Sequence, residues 1–371
     1  MNAVVYVPIV KAKSNDIAAL GDVNPSKRRD IRPLLELAEY DATDNDAILR
    51  SFVKRLIRVK WPHPPYVDLY SFMPNAIVAD GTNATVDGFR RIAAAGLRVI
   101  PTYGFGLNDG IWGDLAAVAR QMGVGFCFRV DIDDLDDQAE QTWSEVLERA
   151  AQMGFGATAV DIIVDLRFVG DSDLQRLIAL TADFLNLQPR RFTPRSITIA
   201  GSSALKTVTD VPMNGDSEIV RQELLLWSHV QGNLGPGRPI IFGDYGVVHP
   251  DFSQSVRSPN ANGKIRYTRG NSIHYFRGSS LYKPTSNFGQ YHQLARRVLA
   301  SEQYRGPQFS VGDQRISECA NRIVGPGNLG TWVHVDQNHH IETTVDQIRQ
   351  AVRALGQGAA ANSLLEVLQG A

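Results

Sequence analysis

Eight short apolar runs, each separated from the next by a longer amphipathic segment, follow one another from the first residues to about residue 300. Parallel strands need crossover connections, and a helix is the usual crossover, so this alternation is the pattern of βα units. The candidate strands are Val4–Lys13, Ile31–Leu37, Tyr66–Phe72, Leu97–Tyr103, Gly125–Ile132, Ala159–Phe168, Ser196–Ser202 and Pro239–Gly246. Helical spacing falls between them at Asp44–Val59, Thr85–Ala95, Trp112–Met122, Asp137–Met153, Asp171–Leu187, Ser217–Val230 and Phe288–Ala300, with an Asp171/Ser172 cap opening the fifth. Gly96, Gly123 and Gly154 stand where helices should end in left-handed geometry. Eight such units predict an α/β protein built as a closed (β/α)₈, TIM-like barrel. The competing open sheet of the dinucleotide-binding kind is weakened because no Gly-x-Gly-x-x-Gly follows the first strand.

The length of 371 residues suits one such barrel with additions. The expected layout is a barrel over residues 1–300, including a long insertion at 247–287 after strand 8. An extension over 301–371 would pack on the barrel, with an extra strand at Thr331–Val335 and a helix near Glu342–Leu355. A net charge of −1 excludes a wholly basic nucleic-acid or membrane-surface binder. No leader pattern or membrane-length apolar run is present, which gives a cytoplasmic expectation. Cys127 and Cys319 have neither disulfide nor zinc spacing, and Cys127 sits in an apolar strand run as a small core residue.

Strand interiors of a barrel face either the pore or the helices and should be apolar, so charge belongs at the carboxyl rim where such barrels build their sites. Charged or polar residues recur at that end: Lys11 and Lys13 on the first strand, Glu36 on the second, Asp68 on the third and Tyr103 on the fourth. Arg129 and Asp131 close the fifth, Asp165 and Arg167 the sixth, Ser202 the seventh, and Asp244 and Tyr245 the eighth. Such a set predicts a functional pocket. Lys11 or Lys13, desolvated beside another cation, would serve as base or Schiff-base nucleophile. Glu36, Asp165 and Asp244 would divide acid and base roles, and Arg129 would clamp an anion. No cofactor is named by the sequence; Asp131, Asp165 and Asp244 are the set that would hold Mg²⁺ with waters. A shared metal at His339-His340 is disfavoured, because neighbours on a strand point to opposite faces.

The insertion carries Arg257, Lys264, Arg266, Arg269, Arg277 and Lys283 against one acid, Asp251: six cations less one, or +5. Tyr267, Tyr275, Phe276 and Tyr282 are interleaved. Placed beside strand 8, this loop would meet phosphate oxygens with arginine forks and offer aromatics to a base, so the expected ligand is an anionic small molecule or a nucleic acid.

At Phe242-Gly243-Asp244-Tyr245-Gly246, His249-Pro250, Arg266-Tyr267-Thr268 and Arg277-Gly278 the chain resembles the beta-protein family, named for a bacteriophage protein. The resemblance extends to Tyr6-Val7-Pro8-Ile9-Val10-Lys11-Ala12-Lys13, Arg32-Pro33-Leu34-Leu35-Glu36 and Asn338-His339-His340-Ile341, and departs at Ser14-Asn15-Asp16. It implies no particular reaction. It implies a place in phage–host conflict, and it singles out Lys11, Lys13, Glu36, Asp244, Arg266 and Arg277. The leading expectation is an enzyme acting on a phosphate-bearing substrate at the rim, with Arg129, Asp131, Tyr103, Ser202, Tyr245, His249, Arg266 and Arg277 binding it. The alternative is a non-catalytic sensor for nucleic acid or for a protein partner in a defence complex.

Overall fold

The computed structural model describes residues 4–368, apart from 38–43, 70–74, 106–108, 252–260, 283–286 and 358–363 and the single positions 137, 236, 303 and 365. Its centre is a closed parallel barrel of eight strands: β1 (Tyr6–Val10), β2 (Leu34–Glu36), β3 (Tyr66–Asp68), β4 (Ile100–Gly104), β5 (Phe126–Asp131), β6 (Val160–Phe168), β7 (Ser196–Ser202) and β9 (Ile241–Asp244). The intervening β8 (Asp216–Val220) lies outside it. Closure is made by β9 lying parallel to β1, with Tyr6 opposite Phe242 and Pro8 opposite Asp244. Seven of the eight barrel strands fall within the apolar runs read from the sequence, and β4 passes the end of its run by one residue, Gly104. Around the barrel stand α1 (Ser14–Gly21), α2 (Pro25–Arg28), α3 (Asn45–Leu56), α4 (Ala84–Ala94), α5 (Trp112–Gln121), α6 (Ala139–Gln152), α7 (Leu174–Asn186) and α8 (Gln222–Leu234).

Strand alternation separates two cores. Val7, Ile9, Leu34, Ile100, Cys127, Ile163 and Ala200 fill the pore, while the opposite faces of the strands pack on the helices. Cys127 is accordingly a pore-filling residue, and burial pushes its thiol well up from the ordinary value. The helix ends follow the glycine expectation: Gly96, Gly123 and Gly154 have φ of 71°, 62° and 70°.

Four local expectations are corrected. The cap of α7 is Asp173, not Asp171 or Ser172; its carboxylate accepts from the amides of Gln175 (3.0 Å) and Arg176 (3.2 Å). The segment Ser217–Val230 is not one helix: β8 precedes α8, and β8 pairs antiparallel with β11 (Ser272–Ser280), which pairs with β10 (Asn262–Arg269). The insertion is therefore largely a hairpin in a three-stranded sheet, not an overhanging loop; Arg257 and Lys283 lie outside the described residues. Finally, Thr331–Val335 is no strand. It opens the 28-residue α11 (Leu329–Gly356), whose N-terminus is closed by a reciprocal cap between Asn328 and Thr331.

Helix α11 is the axle of the addition. Its middle is buried on every side, against α1 and β1 on one flank and β10 on another. That stretch is polar, so each group requires a partner to offset the loss of water. Asn338 accepts from the Gly312 amide (2.9 Å) and donates to the Ala19 carbonyl (3.1 Å); Gln337 accepts from the Val247 amide (3.1 Å). A separate apolar core joins the hairpin to α9 (Tyr291–Leu299), α10 (Val311–Ala320) and the start of α11 through Ile265, Tyr267, Phe276, Tyr291 and Trp332. No helix among the described residues is long and apolar enough to cross a membrane.

Candidate functional site

The carboxyl mouth of the barrel is filled by charge. Glu36, Asp68, Arg129 and Asp165 point into it from β2, β3, β5 and β6, and Lys11 and Tyr245 enter one residue past β1 and β9. The Arg129 guanidinium is the hub. It bonds Asp165 through Nε (2.9 Å) and Nη2 (2.6 Å), pairs with Glu36 (2.8 Å) and Asp68, and donates to the Tyr245 hydroxyl (2.7 Å). Tyr245 in turn donates to Asp165 (2.6 Å). Burial, opposed by Arg129, pushes its phenol well above 10, so it stays protonated. Glu36 also holds Lys11 at 2.6 Å. Burial alone would raise the Glu36 carboxyl, but Arg129, Lys11 and Arg167 outweigh it and hold it at about 2.

Two cations of this set keep open surface. The Lys11 side chain is 20% exposed and that of Arg167 28%. Arg167 donates to the Tyr245 hydroxyl (3.3 Å) and to Asp251 (2.8 Å), and lies 3.7 Å from Glu36. It adopts φ of 55°, and Ala12, just after Lys11, has φ of 34°. Left-handed backbone at residues with a Cβ is costly, of order 1–3 kcal/mol each; both sites aim a cation at the mouth. Nearby, His249 packs on Phe168 with ring centroids 4.6 Å apart, and burial lowers its pKa. The Asp131 carboxyl is raised by burial and by Asp165. At the opposite end of the pore a smaller pair, Asp161 with Arg195 (2.9 Å), closes the barrel floor.

A second buried network lies behind the barrel wall. Asp244 accepts from the Tyr6 hydroxyl (2.6 Å) and from Arg221 (3.0 Å), and meets His340 of α11 at 2.9 Å. Arg221 continues to Gln347 (2.9 Å) and Thr344 (3.1 Å) of the same helix. Burial would raise the Asp244 carboxyl, but His340 and Arg221 hold it far below the usual range. The family model described as Beta protein matches residues 6–346, a span that takes in the barrel, the hairpin and most of α11. The chain belongs to the beta-protein family. No curated protein matches it. Among solved structures, the chain is similar to a mandelate racemase/muconate lactonizing protein from Herpetosiphon aurantiacus, with 14% identity and a TM-score of 0.30. That match covers 74% of this chain and 63%, less than two thirds, of the other.

In this beta-family barrel the sequence-derived candidates divide by strand parity. Lys11, Glu36, Arg129, Asp165 and Tyr245 come together at the mouth, with His249 and Asp131 on its edge. Asp244 does not: adjacent to Tyr245, it points outward and ties α11 to the wall. Tyr103 also points outward, packing edge-on against Trp112 at 5.2 Å. Lys13 lies past the turn at Ala12 and starts α1, so it does not share a strand face with Lys11. Ser202 accepts from the Ala204 amide (3.1 Å) as a turn cap. The two arginines expected to clamp an anion are turned inward. Arg266 bonds Asp336 (2.8 Å) and the Val247 carbonyl (2.7 Å), and Arg277 bonds the carbonyls of Thr209 (3.1 Å) and Val211 (2.5 Å). Asp131, Asp165 and Asp244 do not converge either: Asp131 caps a turn through the Ile132 amide (2.7 Å), Asp165 is taken by Arg129, and Asp244 faces away. Among the described residues no group of three or more His, Cys, Asp or Glu is placed to hold a metal ion. His339 and His340, on a helix rather than a strand, serve Asp313 (2.7 Å) and Asp244 separately. Arg167, named as a rim charge but not as a ligand group, is the residue whose importance only its backbone conformation and position reveal.

Proposed function

We propose that the mouth of the barrel is an active site for an anionic, phosphate-bearing substrate. The observation that carries this reading is the pairing of two partly open cations, Lys11 and Arg167, with one buried carboxylate, Glu36, that orients both. A charge lattice on five strands would close the pore equally well with every cation buried, as Arg129 is. Leaving two of them open, one on strained backbone, fits a surface that receives a ligand. Oxygen anions of phosphate would take donors from Lys11 and from the Arg167 fork. Glu36, Asp68 and Asp165 act as positioning groups, because Arg129 engages all three. Proton transfer falls to the edge, to Asp131, whose carboxyl burial and Asp165 raise, and to His249, whose imidazole burial lowers.

Nucleic-acid binding through the insertion is not the reading favoured here. Tyr267, Tyr275 and Phe276 are buried, and of the interleaved aromatics only Tyr282 is exposed. The test is a thermal-shift screen against nucleotides and phosphorylated metabolites, followed by assay of each hit for turnover. A ligand at about 100 times its Kd stabilises the fold by about 2.7 kcal/mol. That stabilisation should vanish in Lys11→Met and Arg167→Gln. Persistence in both variants, or no response in the wild type to any phosphate compound, overturns the site. Binding without turnover of any hit would leave a sensor in place of an enzyme.

A further inference from the structure

Beside the mouth, on the face of the hairpin that looks toward the barrel, three groups of complementary chemistry stand together without a task in the network above. Lys264 and Arg266 lie two residues apart on β10, so their side chains share one face. Arg266 reaches Asp336 of α11 through Nε (2.8 Å) and the carbonyl of Val247, three residues past β9, through Nη1 (2.7 Å). Lys264 is half-buried, and among the described residues its ammonium has no ion pair, although Asp336 and Arg266 are both in electrostatic reach. Asp336 is 1% exposed; its Oδ2 is taken by Arg266 and its Oδ1 has no hydrogen-bond partner. A buried carboxylate oxygen left unpartnered is costly and calls for an explanation. The groups in electrostatic reach of this cluster are Arg266, Asp336 and the hydroxyls of Tyr275 and Tyr291, with Asp16 of α1 in reach of Arg266.

We propose that Lys264 is a nucleophilic amine that captures an aldehyde or ketone bearing an anionic group as an imine, with Asp336, held in place by Arg266, as its proton-transfer partner. The Nζ lone pair forms the C–N bond and the carbonyl oxygen becomes the hydroxyl of a carbinolamine. Asp336 then protonates that hydroxyl, which leaves as water while the C=N bond forms, and the amine proton returns to the carboxylate. The protonation states suit these roles. Desolvation, then Arg266, lowers the Lys264 ammonium from 10.5 to about 8, which puts free amine within reach near neutral pH. Burial raises the Asp336 carboxyl to about 6 against the pull of Arg266, so it can both give and take a proton. The Schiff-base chemistry that the sequence suggests for Lys11 or Lys13 thus finds its setting in the hairpin, since Lys11 is held by Glu36.

This inference rests on the proposed anionic substrate only for the choice of an anionic carbonyl. The full-length protein is treated with pyridoxal phosphate, an aldehyde carrying a phosphate, and separately with a neutral aliphatic aldehyde. Each adduct is reduced with borohydride and mapped by peptide mass spectrometry. Lys264 should label about tenfold faster than the exposed Lys54, Lys60 and Lys206, with half-maximal rate near pH 8. Lys264→Arg should lose the label with its melting temperature unchanged, and Asp336→Asn should slow imine formation before reduction. Uniform labelling of the lysines, or a Lys264 rate that still climbs past pH 10, overturns the proposal. Lys264 labelling that survives Lys11→Met separates the two readings, because loss of phosphate binding in that variant leaves the neutral-aldehyde reaction untouched.

Discussion

Replacing Glu36 by glutamine tests whether the mouth is held by charge rather than by shape. The substitution keeps the volume and one acceptor oxygen, removes the charge that faces Arg129, Lys11 and Arg167, and turns the second oxygen into an N–H donor. In the fold the Glu36 carboxyl sits at about 2 against an ordinary 4.5. The difference of roughly 2.5 units, at 1.36 kcal/mol each, corresponds to about 3 kcal/mol of folding stability. The residue is 4% exposed, so solvent screening takes little from that figure. Because the folded value is the lower one, the contribution is fully present above pH 4.5 and is lost as pH falls towards 2. Urea unfolding of the wild type and Glu36→Gln should therefore differ by about 3 kcal/mol at neutral pH, and the gap should close as the pH is stepped down through about 3. Taking the difference between the two proteins cancels every other carboxylate that titrates over that range. A gap that stays constant with pH would mean the cost is lost packing and would refute the electrostatic argument. A gap below about 0.5 kcal/mol at neutral pH would show that the network behaves like an exposed salt bridge.

Two further outcomes test the fold around the site. Gly246→Ala should destabilise by more than about 2 kcal/mol in thermal unfolding, because φ is 63° there and an added Cβ would stand 1.9 Å from Gln337 Oε1; unchanged stability would mean that α11 can shift away from the β9 turn. Asp244→Asn should cost about 3 kcal/mol, because Arg221, fully buried, loses the nearer of its two carboxylates and keeps only Glu223 at 3.5 Å, while the folded variant keeps the phosphate binding proposed at the mouth; loss of binding at unchanged melting temperature would return Asp244 to the site.

How far the architecture could be read from the chain follows from what each pattern encodes. A buried parallel strand is a short run of apolar residues whichever way it faces, so all eight barrel strands stand out, and so does the crowding of charge at their carboxyl ends. Parity is not written in such a run. Asp244 and Tyr245 are neighbours in one polar turn, yet the first ties α11 to the outside of the wall and the second completes the lattice inside the mouth. Their roles depend on the register of β9 against β1, a contact between residues some 236 positions apart, Tyr6 with Phe242. The addition was harder to read for a different reason. Thr331-Trp332-Val333-His334-Val335 is rich in the β-branched and aromatic residues of a strand, and a helix whose middle is Asp336-Gln337-Asn338-His339-His340 looks too polar to be buried. What reconciles it is partnership supplied from elsewhere: the Val247 and Gly312 amides, the Ala19 carbonyl, and the carboxylates of Asp313 and Asp244. A basic stretch is equally ambiguous. Arg266 and Arg277 read as ligand clamps until Asp336 and the 209–211 carbonyls are seen to take them, whereas Lys264, on the same strand as Arg266, makes no ion pair among the described residues. Charge is written in the sequence, but which partner takes it is decided by the fold.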